Sequence, residues 1–539
     1  MKVNINEIRI LMLYRRNGEL RINPRSMLYG TFILAGANVL VRIIGFVYQI
    51  ALSRLLGPEG MGVYQLIFPP YTIALALTTS GIPVAVSRLV ASSSATGHSG
   101  EVKKVVSTAL SIVLGLGIIL CALVLANLDW IAHAILKDPR TRLPLFILFP
   151  CIIITGMGAT FKGYFYGIKH THRPAFAEIL EQLVRIATVI LTLLWLKPQG
   201  YERSAMVIVF GVVIGELTSL FYLHAQYHYS VKTLKGYTKT PSVHSLIKSI
   251  GAIAVPVTLT RLITTSINSI NTILIPQRLM ASGLTNSQAV SLFGIVSGMV
   301  MPLLFIPFTI TNALSTVIIP HLSEDMALGN WQAIRSNISR AIQLTSIVAF
   351  AATAALLSLG QPIGIALYRQ SQVGQLLTPL TLSVVFLALQ HTLSAALNGL
   401  DRQKRSTLNL FIGGVIQLCC TWFLVSHPAL RIYGFIIGFN LRNIAVFILN
   451  FGTVKKLTKL EIRWADWFFK PAFAALVMAS LGRCAFNLSL HAGLPLIASL
   501  ALAIITGAAF FLISLYSVNG IPRIKGRQKD KAPRTTTGL

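Results

Sequence analysis

The chain has 539 residues, of which 54% are hydrophobic and only 12% are charged, and its mean hydropathy is +0.70. Soluble domains carry about 25% charged residues, so this composition excludes a soluble globular protein and indicates an integral membrane protein. The formal net charge of +30 would suggest nucleic-acid binding in a soluble protein. In a membrane protein, its meaning depends on which loops carry the positive residues.

Apolar runs of about 20 residues recur along the chain, which is the helix length that crosses a hydrocarbon layer about 30 Å thick. Strands of a membrane barrel would alternate polar and apolar residues over roughly 10 residues. The pattern therefore predicts an all-α protein. Its first apolar run is too long for a signal peptide and is predicted to be retained. Fourteen spans are predicted, at residues 28–52, 63–90, 105–128, 143–167, 174–196, 204–226, 246–276, 289–319, 342–360, 376–400, 406–425, 430–452, 468–487 and 494–516.

The distribution of basic residues predicts the orientation of these spans. With the amino terminus in the cytoplasm, 32 of the 46 basic residues fall on the cytoplasmic side, nine fall outside and five lie within spans. This bias follows the positive-inside rule. It predicts a multi-pass protein of the cell membrane with cytoplasmic tails at residues 1–27 and 517–539. The net charge is thus explained by topology, without nucleic acid.

The five cysteines all fall within predicted spans and form no CxxC pair. This pattern predicts free buried thiols, without a disulfide and without a metal site. The residues are Cys121, Cys151, Cys419, Cys420 and Cys484.

Two halves of the chain align with each other. GYFYGIKHTHRPAF after the fourth span matches AALNGLDRQKRSTL after the tenth at a shift of 232 residues, and the second and eighth spans match at a shift of 233. Each half contains six spans, an even number, so both halves enter the membrane in the same direction. The repeat predicts two parallel lobes, at 28–230 and 246–452, that rock against each other around a central site. The last two spans, within 468–516, lie outside the repeat.

Two arginines occupy matching positions in the first spans of the two halves. A shift of 219 residues places Arg42 on Arg261, and each lies about 15 residues into its span. A mid-membrane arginine costs about 2.5–3.5 kcal/mol on insertion scales, so it is by default a functional candidate. The alternative is a structural arginine satisfied by helix carbonyls or by carboxylates within the membrane.

Three glutamates also lie within predicted spans. Glu178 follows Pro174 by one turn, where the helix dipole favours an acid, and a structural role is expected there. Glu181 precedes Arg185 by four residues, the favourable order for an ion pair that either couples transport or only stabilises the helix. Glu216 has no charge within one turn of sequence, which suits a proton or sodium relay; the alternative is a partner for Arg42 or Arg261.

Further polar residues lie in the second half. Asn268 and Asn271, which lie one turn apart beyond Arg261, are candidates for binding sugar hydroxyls, although polar residues also join helices in membranes. Arg442 is a candidate for binding substrate or for offsetting a helix end. Arg483 is predicted to extend to the membrane interface.

The opening of the chain resembles a known family. RIIGFVYQIALSRLLGPEGMGVYQLIFPPY, followed by SGIPVAVSRLVA, is similar to the polysaccharide-transport branch of the multidrug/oligosaccharidyl-lipid/polysaccharide exporter superfamily, which includes the lipid II flippases, and within it to the stage V sporulation protein B group. The resemblance implies a V-shaped pair of six-helix lobes, with the thirteenth and fourteenth spans lining a groove for a lipid tail. Lipid II flippases open with R-x-x-G-x-x-R-[DE], whereas Tyr48 and Gln49 stand here in place of the second arginine and the acid.

The resemblance also implies the function. We expect a flippase that moves an undecaprenyl-pyrophosphate-linked wall precursor, lipid II or a relative, by alternating access, with Arg42 and Arg261 holding the pyrophosphate. The alternatives are an organic-cation exporter of the same superfamily, a membrane glycosyltransferase, and a scaffold that binds wall-synthesis proteins. No nucleophile elbow, HExxH motif or nucleotide-binding loop occurs, so we expect a transporter and not an enzyme. We expect no cofactor, only a coupling proton or sodium ion.

Overall fold

The computed structural model describes residues 13–16, 19–22, 27–96, 99–196, 198–232 and 241–520. Most of the predicted tails at 1–27 and 517–539 lies outside the described residues. Two short strands precede the membrane body, Leu13–Arg16 and Glu19–Ile22, and they pair in antiparallel fashion. All other described elements are helical, which confirms the predicted all-α class of the membrane body.

The helices follow the two predicted halves. The first half contains α1 (Met27–Thr79), α2 (Gly81–Ala95), α3 (Ser99–Ala126), α4 (Arg142–Leu148), α5 (Cys151–Gly167), α6 (His172–Leu196) and α7 (Tyr201–Lys232), with short turns between Leu128 and Thr141. The second half contains α8 (Val243–Ala281), α9 (Asn286–Ile295), α10 (Met301–Phe305), α11 (Phe308–Ala327), α12 (Trp331–Tyr368), α13 (Ser371–Leu380), α14 (Leu382–Gly399), α15 (Gln403–Leu424) and α16 (Ile432–Thr458). Two further helices follow, α17 (Lys470–His491) and α18 (Leu496–Ser517).

The predicted count of fourteen spans is not confirmed. In the described chain, twelve helices are long and apolar enough to cross a membrane, or thirteen if the bent pair Pro139–Leu148 and Cys151–Gly167 is one span. One of the twelve, Gly36–Ala95, has 60 residues, about three times the length that a span needs. It breaks at Gly57, whose φ of 68° and ψ of −177° suit glycine alone. This break falls between the first two predicted spans.

The packing of the two halves differs between the two ends of the molecule. At the end predicted to lie outside, one continuous apolar core contains residues of both halves, for example Leu52, Met61, Phe293 and Leu377. At the predicted cytoplasmic end there are two separate cores, one formed by the first half with the first turns of α8 and one formed by the rest of the second half. The lobes are therefore joined at one end and separate at the other, and the space between them opens toward the predicted cytoplasmic side.

Close helix contacts hold the joined end. A Cβ on Gly62 would lie 2.1 Å from the carbonyl oxygen of Val290, and a Cβ on Gly294 would lie 2.0 Å from that of Pro58. Any larger residue would force α1 and α9 apart, because such short contacts do not occur in packed proteins. These two glycines allow the first and second lobes to meet backbone to backbone.

Arg54 connects the lobes at the same end. Its guanidinium donates hydrogen bonds of 2.6 Å to the carbonyl oxygens of Ala366 and Leu367, in the last turn of α12. The carboxyl end of a helix has unpaired carbonyls and a partial negative charge, so a cation there is favourable. A side chain of α1 thus caps a helix of the other lobe.

Helix α8 crosses from one lobe to the other. Its first turns, with Leu246, Ile250 and Ala254, belong to the core of the first lobe, and a Cβ on Gly81 of α2 would lie 2.1 Å from the carbonyl oxygen of Ala254. Its last turns join the shared core. The added helices α17 and α18 pack on α12, with Ala354 and Met478 in one small apolar cluster.

Candidate functional site

A cavity of about 510 Å³ lies between the lobes, at the level where α1, α8, α15 and α16 meet. We call it the inter-lobe cavity. It contains two arginines and no acidic residue among its lining side chains. The lining residues are Gln65, Phe68, Pro69, Thr72, Arg261, Thr264, Thr265, Ile267, Asn268, Ser269, Thr272, Leu410 and Arg442.

Arg442 is oriented by neutral groups. Its Nη1 donates to Oε1 of Gln417 at 2.7 Å and to Oδ1 of Asn268 at 3.2 Å. Gln417 is buried on α15, so it fixes the guanidinium without neutralising it. The positive charge of Arg442 therefore remains available to an anion in the cavity.

Arg261 projects from α8 into the same cavity and is exposed there. None of the ion pairs found in the described parts of the chain involves it. Two guanidinium groups without a carboxylate repel each other in a medium of low dielectric constant. An anion bound between them relieves that repulsion, so the cavity has the chemistry of an anion site.

Arg42 is not among the residues that line this cavity. Its side chain is exposed and acts electrostatically on His391 of α14, in the second lobe. The structure thus brings Arg261 together with Arg442 and places Arg42 on a separate surface. The two arginines still have similar surroundings, as the repeat predicts, because each lies near the other lobe. Arg42 of the first half acts on His391 of the second, and Arg261 of the second half shares a cavity with Phe68 and Thr72 of the first.

The two candidate asparagines have different surroundings. Asn268 lines the inter-lobe cavity and orients Arg442. Asn271 is buried, and its Oδ1 accepts a hydrogen bond of 2.7 Å from the hydroxyl of Thr421 on α15. Asn271 therefore joins two helices, which was the alternative expected for it.

The three glutamates gather inside the first lobe. Lys162 pairs with Glu178 at 3.2 Å, and Arg185 pairs with Glu181. Glu216 accepts a hydrogen bond from Thr155 and interacts electrostatically with Glu181, Lys162 and Arg185. We call these five ionisable residues the first-lobe charge network. Glu216 is therefore neither isolated nor a partner of Arg42 or Arg261, because α5 and α6 bring other charges to it.

Lys162 is the member of this network that the sequence interpretation missed. It was counted with the cytoplasmic basic residues because it lies near the end of the fourth predicted span. In the fold it is part-buried on α5, and Glu178, Glu181 and Glu216 all act on it electrostatically. With every group ionised, the network has two cations and three carboxylates, so it carries one negative charge in excess and can accept one proton or one small cation.

A hydroxyl chain leads from this network to α1. With Glu216 ionised, its carboxylate can only accept, so it takes the single hydroxyl hydrogen of Thr155. The contact of 3.3 Å between Tyr71 and Thr155 must then have the tyrosine as the donor. A change of protonation at Glu216 would alter these bonds, and Tyr71 lies one residue from Thr72 of the inter-lobe cavity.

The residues that depart from the family motif also have defined places. Tyr48 is buried and acts electrostatically with Arg185, so an arginine of α6 lies beside the tyrosine that replaces the motif's second arginine. Gln49 donates to the carbonyl oxygen of Gly298 in the other lobe at 3.1 Å. Tyr48 therefore interacts with α6 of the first lobe and Gln49 with the second lobe, and neither residue carries a charge.

Comparison with known proteins identifies the family of this chain. The profile of the family described as polysaccharide biosynthesis protein matches residues 27–326, more than half of the chain. The chain belongs to this family.

Two relatives come from Bacillus subtilis. Stage V sporulation protein B of Bacillus subtilis is 27% identical over 494 residues, covering 91% of this chain and 95% of its own length. The lipid II flippase MurJ of the same organism is 24% identical over 458 residues, covering 80% and 83%. The family match and these relatives indicate that this chain is a membrane transporter or flippase and not an enzyme.

Solved structures show the same fold. An inward-facing multidrug resistance MATE family transporter of the MOP superfamily aligns with a TM-score of 0.65 and 16% identity, over 78% of this chain and 98% of its own. A MOP superfamily transporter from Pyrococcus furiosus, described as having a binding pocket of reverse polarity, aligns with a TM-score of 0.58 and 17% identity, over 81% and 96%. The architecture of this family member is therefore MATE-like.

Proposed function

We propose that this protein is a flippase for an undecaprenyl-pyrophosphate-linked cell-wall precursor, lipid II or a related lipid-linked oligosaccharide. The observation that carries the proposal is the inter-lobe cavity, where Arg261 and Arg442 have no carboxylate among the described lining residues. A pyrophosphate supplies the negative charges that such a cavity lacks. Guanidinium binds phosphate oxygens through two parallel hydrogen bonds, a geometry that lysine cannot reproduce.

Alternating access would move this substrate across the membrane. The lobes are closed at one end and open at the predicted cytoplasmic end, which is the side where wall precursors are made. In the proposed cycle the pyrophosphate enters from that side, binds Arg261 and Arg442, and leaves after the lobes rock to open the other end. Arg42, which lies outside the lining of that cavity, would bind the headgroup beside it. The lipid tail would lie along α17 and α18.

Energy for the cycle would come from an ion. In this proposal Glu216 carries a proton or sodium ion, with Glu181 and Arg185 adjusting the local charge. The excess negative charge of the first-lobe charge network supports this role. The chain Tyr71–Thr155–Glu216 supplies a connection between the ion and the wall of the cavity.

An organic-cation exporter is the second candidate, because the fold is shared with multidrug transporters. Its substrate would meet two positive side chains and no acid among the residues that line the inter-lobe cavity. Like charges in such a cavity cost several kcal/mol, by order of magnitude. The cavity therefore favours an anionic substrate. A scaffold for wall-synthesis proteins would need no charged cavity at all.

The test is translocation of lipid II by purified protein in proteoliposomes. Arg261→Ala and Arg442→Ala should each slow translocation by about tenfold or more, since a charge-assisted hydrogen bond is worth about 1.5–3 kcal/mol, and the double variant should be inactive. Arg442→Lys is the matched control, because it keeps the charge and loses the fork. Undiminished translocation by a folded double variant would overturn the site, and no translocation by wild type would overturn the substrate.

A further inference from the structure

A second polar surface lies between α1 and the second lobe, outside the lining of the inter-lobe cavity. It contains Arg42 of α1 and His391 of α14, both exposed, and Arg42 acts electrostatically on the histidine. Neither belongs to the inter-lobe cavity or to the first-lobe charge network. α14 packs mainly in the separate core of the second lobe, and His391 itself is exposed.

Hydrogen bonds in the second lobe hold the imidazole of His391. Its Nδ1 lies 3.3 Å from the hydroxyl oxygen of Ser315 on α11. Ser315 is buried, and its own hydroxyl donates to the carbonyl oxygen of Thr311 at 2.9 Å. When Ser315 gives its single hydroxyl hydrogen to Thr311, it can only accept from the histidine, and Nδ1 of His391 then carries the hydrogen. In the neutral ring, Nε2 is then a hydrogen-bond acceptor.

This arrangement places an acceptor beside a charged donor. The guanidinium of Arg42 has only donors, which match phosphate oxygens, whereas Nε2 of His391 accepts from an O–H or an amide N–H. In a pyrophosphate-linked glycan, the first sugar presents hydroxyl and amide hydrogens directly beside the phosphate. A donor for phosphate next to an acceptor for the sugar fits that junction.

We propose that His391, held by Ser315, is a specificity-determining residue that recognises the first sugar of the substrate while Arg42 binds the adjacent phosphate. The inference rests on the proposed function, because it needs a pyrophosphate-linked glycan between the lobes. It assigns the two chemical parts of the substrate to two side chains, one from each lobe, that interact electrostatically. His391 then distinguishes a glycan-bearing lipid from the same lipid without a glycan.

The experiment compares two ligands that differ only in the glycan, namely lipid II and undecaprenyl pyrophosphate, by equilibrium binding to purified protein. His391→Gln and His391→Asn form a matched pair, since the Gln amide reaches the position of Nε2 while the shorter Asn amide reaches only that of Nδ1. His391→Asn should weaken lipid II binding about fivefold, the effect of one hydrogen bond, and leave undecaprenyl pyrophosphate unchanged. His391→Gln should keep most of the affinity for lipid II. Arg42→Ala should weaken both ligands.

Binding of undecaprenyl pyrophosphate by each His391 variant also shows that the variant is folded. Equal weakening of both ligands by His391→Asn, or no difference between the Asn and Gln variants, would overturn the role of His391. Equal affinity of the wild type for both ligands would overturn it as well. Failure of the wild type to bind either ligand would overturn the proposed function, and this specificity role with it.

Discussion

The two lobes share a helical frame but contain different polar interiors. The first lobe contains the charge network of Lys162, Glu178, Glu181, Arg185 and Glu216. The second lobe contains neutral side chains that bond to each other, which we call the second-lobe amide network. Its members are Gln390, Ser394, Asn409, Asn443 and Asn450.

The internal repeat shows where the difference arises. At the shift of 232 residues, Lys162 corresponds to Ser394 and Arg185 to Gln417. In the second lobe, Nδ2 of Asn450 donates to Ser394 at 2.9 Å, and Nδ2 of Asn409 donates to Asn450 at 2.9 Å. Amides and hydroxyls do not ionise at physiological pH, whereas carboxylates exchange protons and cations. The second-lobe amide network therefore keeps a constant charge, whereas the first-lobe charge network can gain or lose a proton or a cation.

The largest effect is expected from breaking a pair of the first-lobe charge network. Lys162→Met leaves Glu178 without its partner beside two other acids. Breaking a buried ion pair costs about 3–5 kcal/mol, and the part-buried position of Lys162 puts this variant near the lower end of that range. Thermal unfolding in detergent measures it. The double variant Lys162→Met with Glu178→Gln should recover most of the loss, and a single variant as stable as wild type would contradict the pairing.

A smaller effect is expected on the response of transport to an ion gradient, and it should differ between the first-lobe charge network and the second-lobe amide network. Glu216→Gln should abolish stimulation of transport by a proton or sodium gradient, slowing gradient-driven translocation by about tenfold, which corresponds to about 1.4 kcal/mol. The measurement is lipid II flux in proteoliposomes with and without each gradient. Asn450→Ser is the control in the second lobe, and its gradient stimulation should match that of wild type. An unchanged gradient response in the Glu216 variant would remove this residue from coupling.

The smallest effect is expected where the two lobes meet. Arg54→Gln removes a cation from the end of α12, an exposed contact worth about 0.3–1 kcal/mol, so the closed outer end should open about two- to fivefold more often. The reporter is Leu52→Cys, at a position of the shared core that is only 2% exposed and becomes reactive when this end opens, in a background without the five native cysteines. Alkylation rates measure opening. Equal rates with and without the Arg54→Gln substitution would show that the glycine contacts alone hold this end.

Much of the fold follows from local sequence properties. Apolar length predicts each membrane helix, because an unpaired backbone cannot remain in hydrocarbon, and the positive-inside pattern predicts the orientation. The number of spans does not follow in the same way, because the structure runs through the predicted loop after residue 52 as a helix kinked at Gly57 and bends another helix near Pro150. The candidate site was partly predictable: Arg261, Arg442 and Asn268 were named from charge or polarity within a span.

Partners across helices could not be predicted in the same way. Lys162 near the end of α5 looks like an interfacial lysine until α6 and α7 place three carboxylates around it. His391 carries no signal in sequence, because only the packing of α11 and α1 gives it Ser315 and Arg42 as neighbours.

By itself, the sequence determined that the chain is a helical membrane protein, that it is made of two parallel halves, and that charges lie within its spans. These properties depend on hydrophobicity and on the repeat, and both can be identified without knowing any contact between helices. Only the tertiary structure decided which charged side chains share a site. It places Arg261 and Arg442 in the lining of one cavity and leaves Arg42 outside that lining. The physical reason is that electrostatic and hydrogen-bond energies depend on distances between helices, and those distances are set by close contacts such as Gly62 with Val290 and Gly294 with Pro58.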